Sequence, residues 1–155
     1  MLSTALLKLL RYSLYLAAIG LAAVELIVVS VALAGLNSMV MDGYYYSLSP
    51  WRGGAGWTLF VTLSTLVVIP IIAFGNILAS RGITVFARCN MILYETANAV
   101  LYTVLWFVAG VVMAHYADDC PDVFNVCRRY KAATAFAWFP FFVFACISAV
   151  LIMLL

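Results

Sequence analysis

Four long apolar runs dominate this chain and limit what it can fold into. They cover residues 12–36, 57–79, 90–114 and 132–155, so each run has between 23 and 25 residues. A helix needs about 20 apolar residues to cross the hydrocarbon core of a bilayer. We expect helices, because lipid offers an exposed backbone no hydrogen-bond partners. The pattern therefore predicts four transmembrane helices.

Composition supports this fold class. Hydrophobic residues make up 68% of the chain and charged residues 9%, whereas soluble domains have about 45–50% and 25%. The stretches that connect the runs have at most 20 residues, which leaves no room for a separate soluble domain. The prediction is one domain over residues 1–155, an all-α membrane protein with a four-helix bundle. A net charge of +2 does not favour nucleic acid as a partner.

The first run has a competing interpretation as a signal peptide. Lys8 and Arg11 precede it, and residues 32–34 read Ala-Leu-Ala, which is similar to a signal-peptidase site. The apolar part of a signal peptide has 7–15 residues, whereas this run has 25 and contains Glu25. We therefore expect an uncleaved first span.

Orientation rests on weaker signals, because each side of the membrane would carry four basic residues. The first helix usually dominates orientation, and Lys8 and Arg11 favour a cytoplasmic start. The third loop, residues 115–131, contains Cys120 and Cys127, and a disulfide there fits an oxidising compartment. Both termini are therefore predicted to be cytoplasmic.

The cysteines have different interpretations. A disulfide between Cys120 and Cys127 would close a short loop, with free thiols as the alternative. Their six-residue spacing is not that of a C-x-x-C redox pair, and His115 alone cannot complete a metal site. Cys89 lies beside the membrane, where it is either palmitoylated or an unmodified thiol. Cys146 is interpreted as a small packing residue.

Two carboxylates interrupt the apolar runs, and such groups usually face protein or water. Glu25 shares a helix face with Ala18 and Ala22, and small residues allow close helix contacts. We interpret Glu25 as a protonated hydrogen-bonding group between helices, with an ion or proton path as the alternative. Ala18 and Ala22 are therefore also predicted to be oligomer or lipid contacts.

Helical spacing suggests partners for both carboxylates. The third run carries a stripe of Glu95, Asn98 and Tyr102. A rise of about 1.5 Å per residue brings Glu25 to the depth of Tyr102, and Glu95 to that of Asn76. The hypothesis is two polar layers, Glu25 with Tyr102 and Glu95 with Asn76.

The fourth run is unusually aromatic. Six large rings occur within nine residues, so some of them must face lipid or another protomer. The predicted oligomer or lipid contacts on this helix are Phe136, Phe139 and Phe142. The alternatives left open are a plain lipid-facing surface, a contact between copies and a sterol-binding face.

The fourth run also carries a family resemblance. Residues 127–139 read CRRYKAATAFAWF and are followed by Phe141 and Phe142. This segment resembles the entry into the last helix of fungal MARVEL-domain (membrane-associating domain) proteins, which also have four spans and cytoplasmic termini. The resemblance implies a non-enzymatic membrane organiser of sterol- or sphingolipid-rich domains, in vesicle trafficking or membrane shaping. It implies a location in the plasma membrane or in secretory or endosomal vesicles.

Three function classes follow from these patterns. The first is a scaffold that associates with copies of itself and gathers specific membrane lipids. The second is a small accessory subunit of a larger membrane complex, with other membrane proteins as partners. The third is a proton or ion channel or transporter that uses Glu25 and Glu95. We expect no catalytic residue, metal or cofactor, although structural lipids or a sterol are compatible with the fold.

Overall fold

The computed structural model of this chain contains four long helices. They are α1 (Thr4–Met41), α2 (Ser49–Ser80), α3 (Met91–Asp118) and α4 (Asn125–Ile152). The structure describes residues 4–41, 49–80, 91–118 and 125–155, without the side chains of 4, 5, 8, 38–41, 49, 50, 76–80 and 91. Each helix contains a stretch of 25 to 29 residues that is long and apolar enough to cross a membrane. The expected all-helical fold with four spans is confirmed.

The helices extend beyond the apolar runs, most clearly at the start of α4. This helix begins at Asn125, seven residues before the fourth run. Arg128, Arg129 and Lys131 therefore lie on the helix, and not in the predicted third loop. Apolar runs mark only the hydrocarbon part of a span, whereas helices continue through the interfacial layer of the bilayer.

Each helix packs against two others. The pairs in contact are α1 with α2, α2 with α3, α3 with α4, and α4 with α1. Consequently α1 faces α3 across one diagonal of the bundle, and α2 faces α4 across the other. Successive helices run in opposite directions, so the start of α1 and the end of α4 lie at one end of the bundle, which we call the terminal end.

The buried face of α1 follows a regular pattern. Its buried positions are alternately four and three residues apart, the spacing of a coiled-coil seam. Three of these eight side chains are alanine, which lets the neighbouring helices approach closely at those positions. The buried positions are Arg11, Tyr15, Ala18, Ala22, Glu25, Val29, Ala32 and Leu36.

The core consists of two apolar clusters stacked along the bundle. The terminal-end cluster includes Ala22, Tyr102, Trp106 and Phe144. The opposite-end cluster includes Val29, Met113 and Tyr130 among its members. Each cluster draws residues from all four helices, so the interior is packed along its length.

Candidate functional site

A charged pair links α1 to α3 across the diagonal at the terminal end. Arg11 Nη1 lies 3.3 Å from Glu95 Oε2, and the Tyr15 hydroxyl donates to the same oxygen at 3.5 Å. Arg11 and Glu95 are only 8% and 1% exposed. Their opposite charges balance, which makes burial of both groups tolerable. The arrangement serves as a structural clamp between the two diagonal helices.

The clamp lies close to the membrane surface. Arg11 is two residues from the start of the first apolar span, and Glu95 is three residues from the start of the third. At about 1.5 Å per residue, both lie within about 5 Å of the span ends. Arg11 also donates to the Tyr12 hydroxyl at 3.2 Å, and its guanidinium carbon lies 4.9 Å from the centre of that ring.

The sequence predicted Asn76 as the partner of Glu95, and the structure instead gives Arg11 and Tyr15. The side chain of Asn76 lies outside the described residues, so the Glu95–Asn76 layer stays a prediction. Arg11 was counted as a flanking charge because it precedes the first apolar run. Its spacing of fourteen residues, or two heptads, from Glu25 was the available signal that it lies on the buried face.

Glu25 is fully buried near the middle of α1. Neither of its carboxyl oxygens has a hydrogen-bond partner among the residues that the structure describes. The predicted layer with Tyr102 is therefore wrong. Tyr102 instead stacks on Phe144, with ring centroids 5.4 Å apart, because the two rings meet inside the terminal-end cluster.

Glu25 belongs to a polar layer between the two apolar clusters. On α1 it lies between Ala22 of one cluster and Val29 of the other. Buried threonines hold the corresponding places on α2 and α4, namely Thr58 and Thr134. Each threonine hydroxyl donates to a carbonyl four residues earlier in its own helix, at 3.0 Å.

Other polar side chains join neighbouring helices or bond within one helix. The Trp106 indole donates to Thr65 Oγ1 at 3.2 Å and joins α3 to α2. The hydroxyls of Thr103 and Ser148 lie 3.2 Å apart between α3 and α4. Asn98, which was predicted to share the Glu95 stripe, donates to the Tyr94 carbonyl of its own helix at 2.8 Å.

The end of the bundle away from the termini has its own diagonal contact. Tyr130 of α4 is fully buried and reaches Gly54 of α2, where an added Cβ would lie 2.8 Å from its hydroxyl oxygen. Glycine at position 54 is what allows this approach. The Tyr130 hydroxyl has no hydrogen-bond partner in the described part of the chain. Contacts across the two diagonals therefore lie at opposite ends of the bundle.

The structure tests some of the cysteine predictions. Cys127 is buried near the start of α4 and is disulfide-bonded. Cys120 and Cys89 lie outside the described residues, so the pairing of Cys120 with Cys127 and the palmitoylation of Cys89 stay predictions. Cys146 is a free, exposed thiol on α4. Cys146 was predicted to be a packing residue, but its exposure means that it does not pack inside the bundle.

The predicted contact residues divide into two groups. Ala18 and Ala22 are fully buried inside the bundle, so their prediction as oligomer or lipid contacts is wrong. Both alanines pack α1 against the neighbouring helices of the same chain. Phe136, Phe139 and Phe142 are exposed on the outer face of α4.

These three phenylalanines lie beside a wider network of rings. Phe136 and Phe139 contact each other at 5.8 Å between centroids, and Phe142 contacts Phe141 at 5.1 Å. Phe141 in turn contacts Phe107 of α3 at 5.6 Å and Trp138 at 5.8 Å. We call the exposed Phe136, Phe139 and Phe142 the aromatic face.

Close helix packing fixes the position of Trp138. A Cβ added at Gly110 of α3 would lie 3.1 Å from the Trp138 ring. The backbone of α3 therefore directly supports the ring network beneath the aromatic face. In the described ranges, no three His, Cys, Asp or Glu side chains are grouped as a metal site.

The fold and these sites define an integral, multi-pass membrane protein with a packed four-helix interior. The model of the MARVEL family, described as the membrane-associating domain, matches residues 4–151. The chain therefore belongs to this family. The family is in general not enzymatic. Neither the curated proteins nor the solved structures contain a match to this chain.

Proposed function

We propose that this protein is a non-enzymatic membrane organiser that associates with copies of itself and gathers specific lipids. The observation that carries the proposal is the aromatic face of α4. Phe139 and Phe142 are 51% and 58% exposed, and Phe142 contacts the ring network through Phe141. Association of helices in lipid depends on close packing, since the hydrophobic effect is absent there. Rigid rings offer large contact areas at little cost in conformational entropy.

The interior supports the same proposal. Its small residues and the Arg11–Glu95 pair join helices of one chain, so contacts with other molecules must use the outer faces. Family membership agrees with a role carried out within the membrane. Sterol- or sphingolipid-rich domains and vesicle trafficking or membrane shaping are the settings we propose.

The proposed orientation places both termini in the cytoplasm. Lys8 and Arg11 at the start of the first span support it, and the predicted disulfide of Cys120 with Cys127 would fit an oxidising compartment on the other side. The proposed location is the plasma membrane or secretory or endosomal vesicles. Cysteine accessibility to a membrane-impermeant reagent in sealed vesicles tests this orientation.

Energy transfer between two labelled pools of the protein in liposomes tests self-association. Phe139→Leu with Phe142→Leu removes rings from the aromatic face but keeps its apolar character. Phe60→Leu with Phe74→Leu on α2 is the matched control, because these rings are 58% and 53% exposed. We expect the α4 variant to lower energy transfer and the α2 variant to leave it unchanged. Equal effects of both pairs would contradict a specific role of α4.

One observation favours a second candidate, a proton path. Glu25 is buried near the middle of the membrane span with both carboxyl oxygens unpaired among the described residues, and such groups often lie on transport paths. Proton flux into liposomes that is lost in Glu25→Gln would support this candidate. Glu95, the other carboxylate of this hypothesis, is held by Arg11 and Tyr15, which favours its structural role.

The second class named from the sequence, an accessory subunit, predicts a different result in the same experiment. A heterologous membrane protein would have to co-purify in a fixed ratio with this chain. Self-association of the purified chain would then be weak, because its contact face would be complementary to a different surface. The energy-transfer measurement therefore separates this class from the scaffold.

A further inference from the structure

A basic concavity lies at the start of α4, at the end of the bundle away from the termini. It has a volume of about 450 Å³ and is lined by Asn125, Arg128, Arg129 and Ala132. Both arginine side chains are exposed. Two guanidinium groups and one side-chain amide therefore line the concavity at the first turns of α4.

The two arginines are available for a ligand. The ion pair within the described part of the chain is that of Arg11 with Glu95, and neither Arg128 nor Arg129 makes one there. A guanidinium group presents planar, paired N–H donors that match the oxygens of a phosphate. Phosphate is the anion that every phospholipid headgroup carries at the membrane surface.

The depth of the arginines fits that headgroup. The fourth apolar run begins at residue 132, three to four residues beyond the two arginines. At about 1.5 Å per residue, the arginines lie about 5 Å outside the hydrocarbon part of the span. The guanidinium groups consequently lie at the boundary between the acyl chains and the headgroups.

The aromatic face lies further along the same side of α4. Exposed residues follow Arg128 at helical spacing, through Ala132 and Ala135 to Phe139 and Phe142. Residues three and four apart are neighbours on a helix surface. One side of the helix therefore carries cations at the headgroup level and rings at the level of the acyl chains.

We infer that the start of α4 binds one phospholipid molecule, with its phosphate on Arg128 and Arg129. Charge complementarity selects a phospholipid over a second copy of the chain, since a second copy would bring the same arginines together. The inference rests on the proposed function and adds the chemical class of the lipid and its binding residues.

Asp118 is the described carboxylate closest in sequence to this site. It is exposed at the end of α3, where it faces the same aqueous layer as the arginines. An internal role of the arginines, in balancing nearby carboxylates, would make them important for stability but not for lipid choice. The experiment must therefore measure lipid preference separately from stability.

Thermal unfolding of the full-length, delipidated protein in micelles measures this preference. Lipid that binds the folded state raises the melting temperature, by an amount that grows with the logarithm of its affinity. The probes are short-chain phosphatidylglycerol and phosphatidylcholine, with diacylglycerol as the lipid that lacks phosphate. We expect both phospholipids to bind about tenfold more tightly than diacylglycerol, because hydrogen bonds to charged groups contribute at least this factor.

Arg128→Gln with Arg129→Gln should remove the preference for the phospholipids. Arg52→Gln is the matched control, because Arg52 is also exposed and lies near the start of α2 at the same end of the bundle.

Three outcomes would overturn the inference. In the first, wild-type protein binds diacylglycerol as tightly as the phospholipids. In the second, the arginine double variant loses thermal stability but keeps the preference. In the third, inorganic phosphate alone gives the same stabilisation, which indicates a free-anion site. Energy transfer between copies in liposomes is independent of these results, so a failure here leaves the proposed self-association to be judged by itself.

Discussion

The pair of Arg11 and Glu95 holds together two helices that otherwise face each other only across the bundle. We predict that replacing either partner alone destabilises the protein strongly, whereas replacing both does not. The variants are Arg11→Met, Glu95→Met and the double variant, in which apolar side chains of similar length fill the same space. Arg52→Met is the control, because that arginine is exposed.

The expected magnitude follows from the geometry of the pair. At 3.3 Å between Nη1 and Oε2 and an effective dielectric constant of about 20, the attraction is about 5 kcal/mol. Much of this is offset by the cost of removing both charges from water. A single replacement leaves one charge buried without its counterion, which costs about 3–5 kcal/mol. Replacing both charges with apolar groups removes that cost, so the double variant should lie within about 1 kcal/mol of wild type.

Reversible unfolding in mixed micelles, driven by a denaturing detergent, measures the free energy of unfolding of the wild type, the three variants and the Arg52→Met control. The summed costs of the two single replacements should exceed the cost of the double replacement by several kcal/mol. This difference is the coupling energy of the double-mutant cycle. Tyr15 bonds to the same carboxylate oxygen, so Tyr15→Phe should add a smaller effect. If the single costs simply add up in the double variant, the clamp does not exist as described.

Three other replacements test the packing and the buried polar groups by the same measurement. Gly54→Ala should lower the free energy of unfolding by about 1–3 kcal/mol, because its Cβ would lie 2.8 Å from the Tyr130 hydroxyl and overpacking forces side chains or backbone to move. Adding Tyr130→Phe should recover most of this loss, and no recovery would contradict the contact. Glu25→Leu should raise the free energy of unfolding by about 1–3 kcal/mol, because the carboxyl lacks a partner among the described residues and its burial is unfavourable. A clear decrease in the free energy of unfolding would mean that the carboxyl is hydrogen-bonded. Trp106→Phe should cost about 1–3 kcal/mol through the lost bond to Thr65 and lost volume, and Thr65→Val should cost less in the Trp106→Phe background than in wild type.

Much of the fold could be predicted from the sequence, because a bilayer restricts the choice of structure. Runs of 23 to 25 apolar residues allow little except spanning helices, and the four helices confirm them. The exposure of Phe136, Phe139 and Phe142 also followed from crowding, since six rings in nine residues cannot all face inward. The length of α4 was underestimated because its first turns are polar.

The partners of buried polar residues could not be predicted in the same way. Depth along a helix says which side chains share a level, but not which helices lie on a diagonal. Glu95 therefore received Asn76 as its predicted partner, although the diagonal arrangement brings Arg11 to it. Small residues raised a similar ambiguity, since Ala18 and Ala22 suit contacts within one chain as well as contacts between copies.

The central claim is that the protein acts through its outer faces, by associating with copies of itself and with lipids. Native mass spectrometry of the protein, extracted with its own lipids in nanodiscs, tests this most directly. We predict a discrete homo-oligomer that retains bound lipid and dissociates into single chains in the Phe139→Leu and Phe142→Leu double variant. A single chain without retained lipid in the wild-type sample would contradict the account.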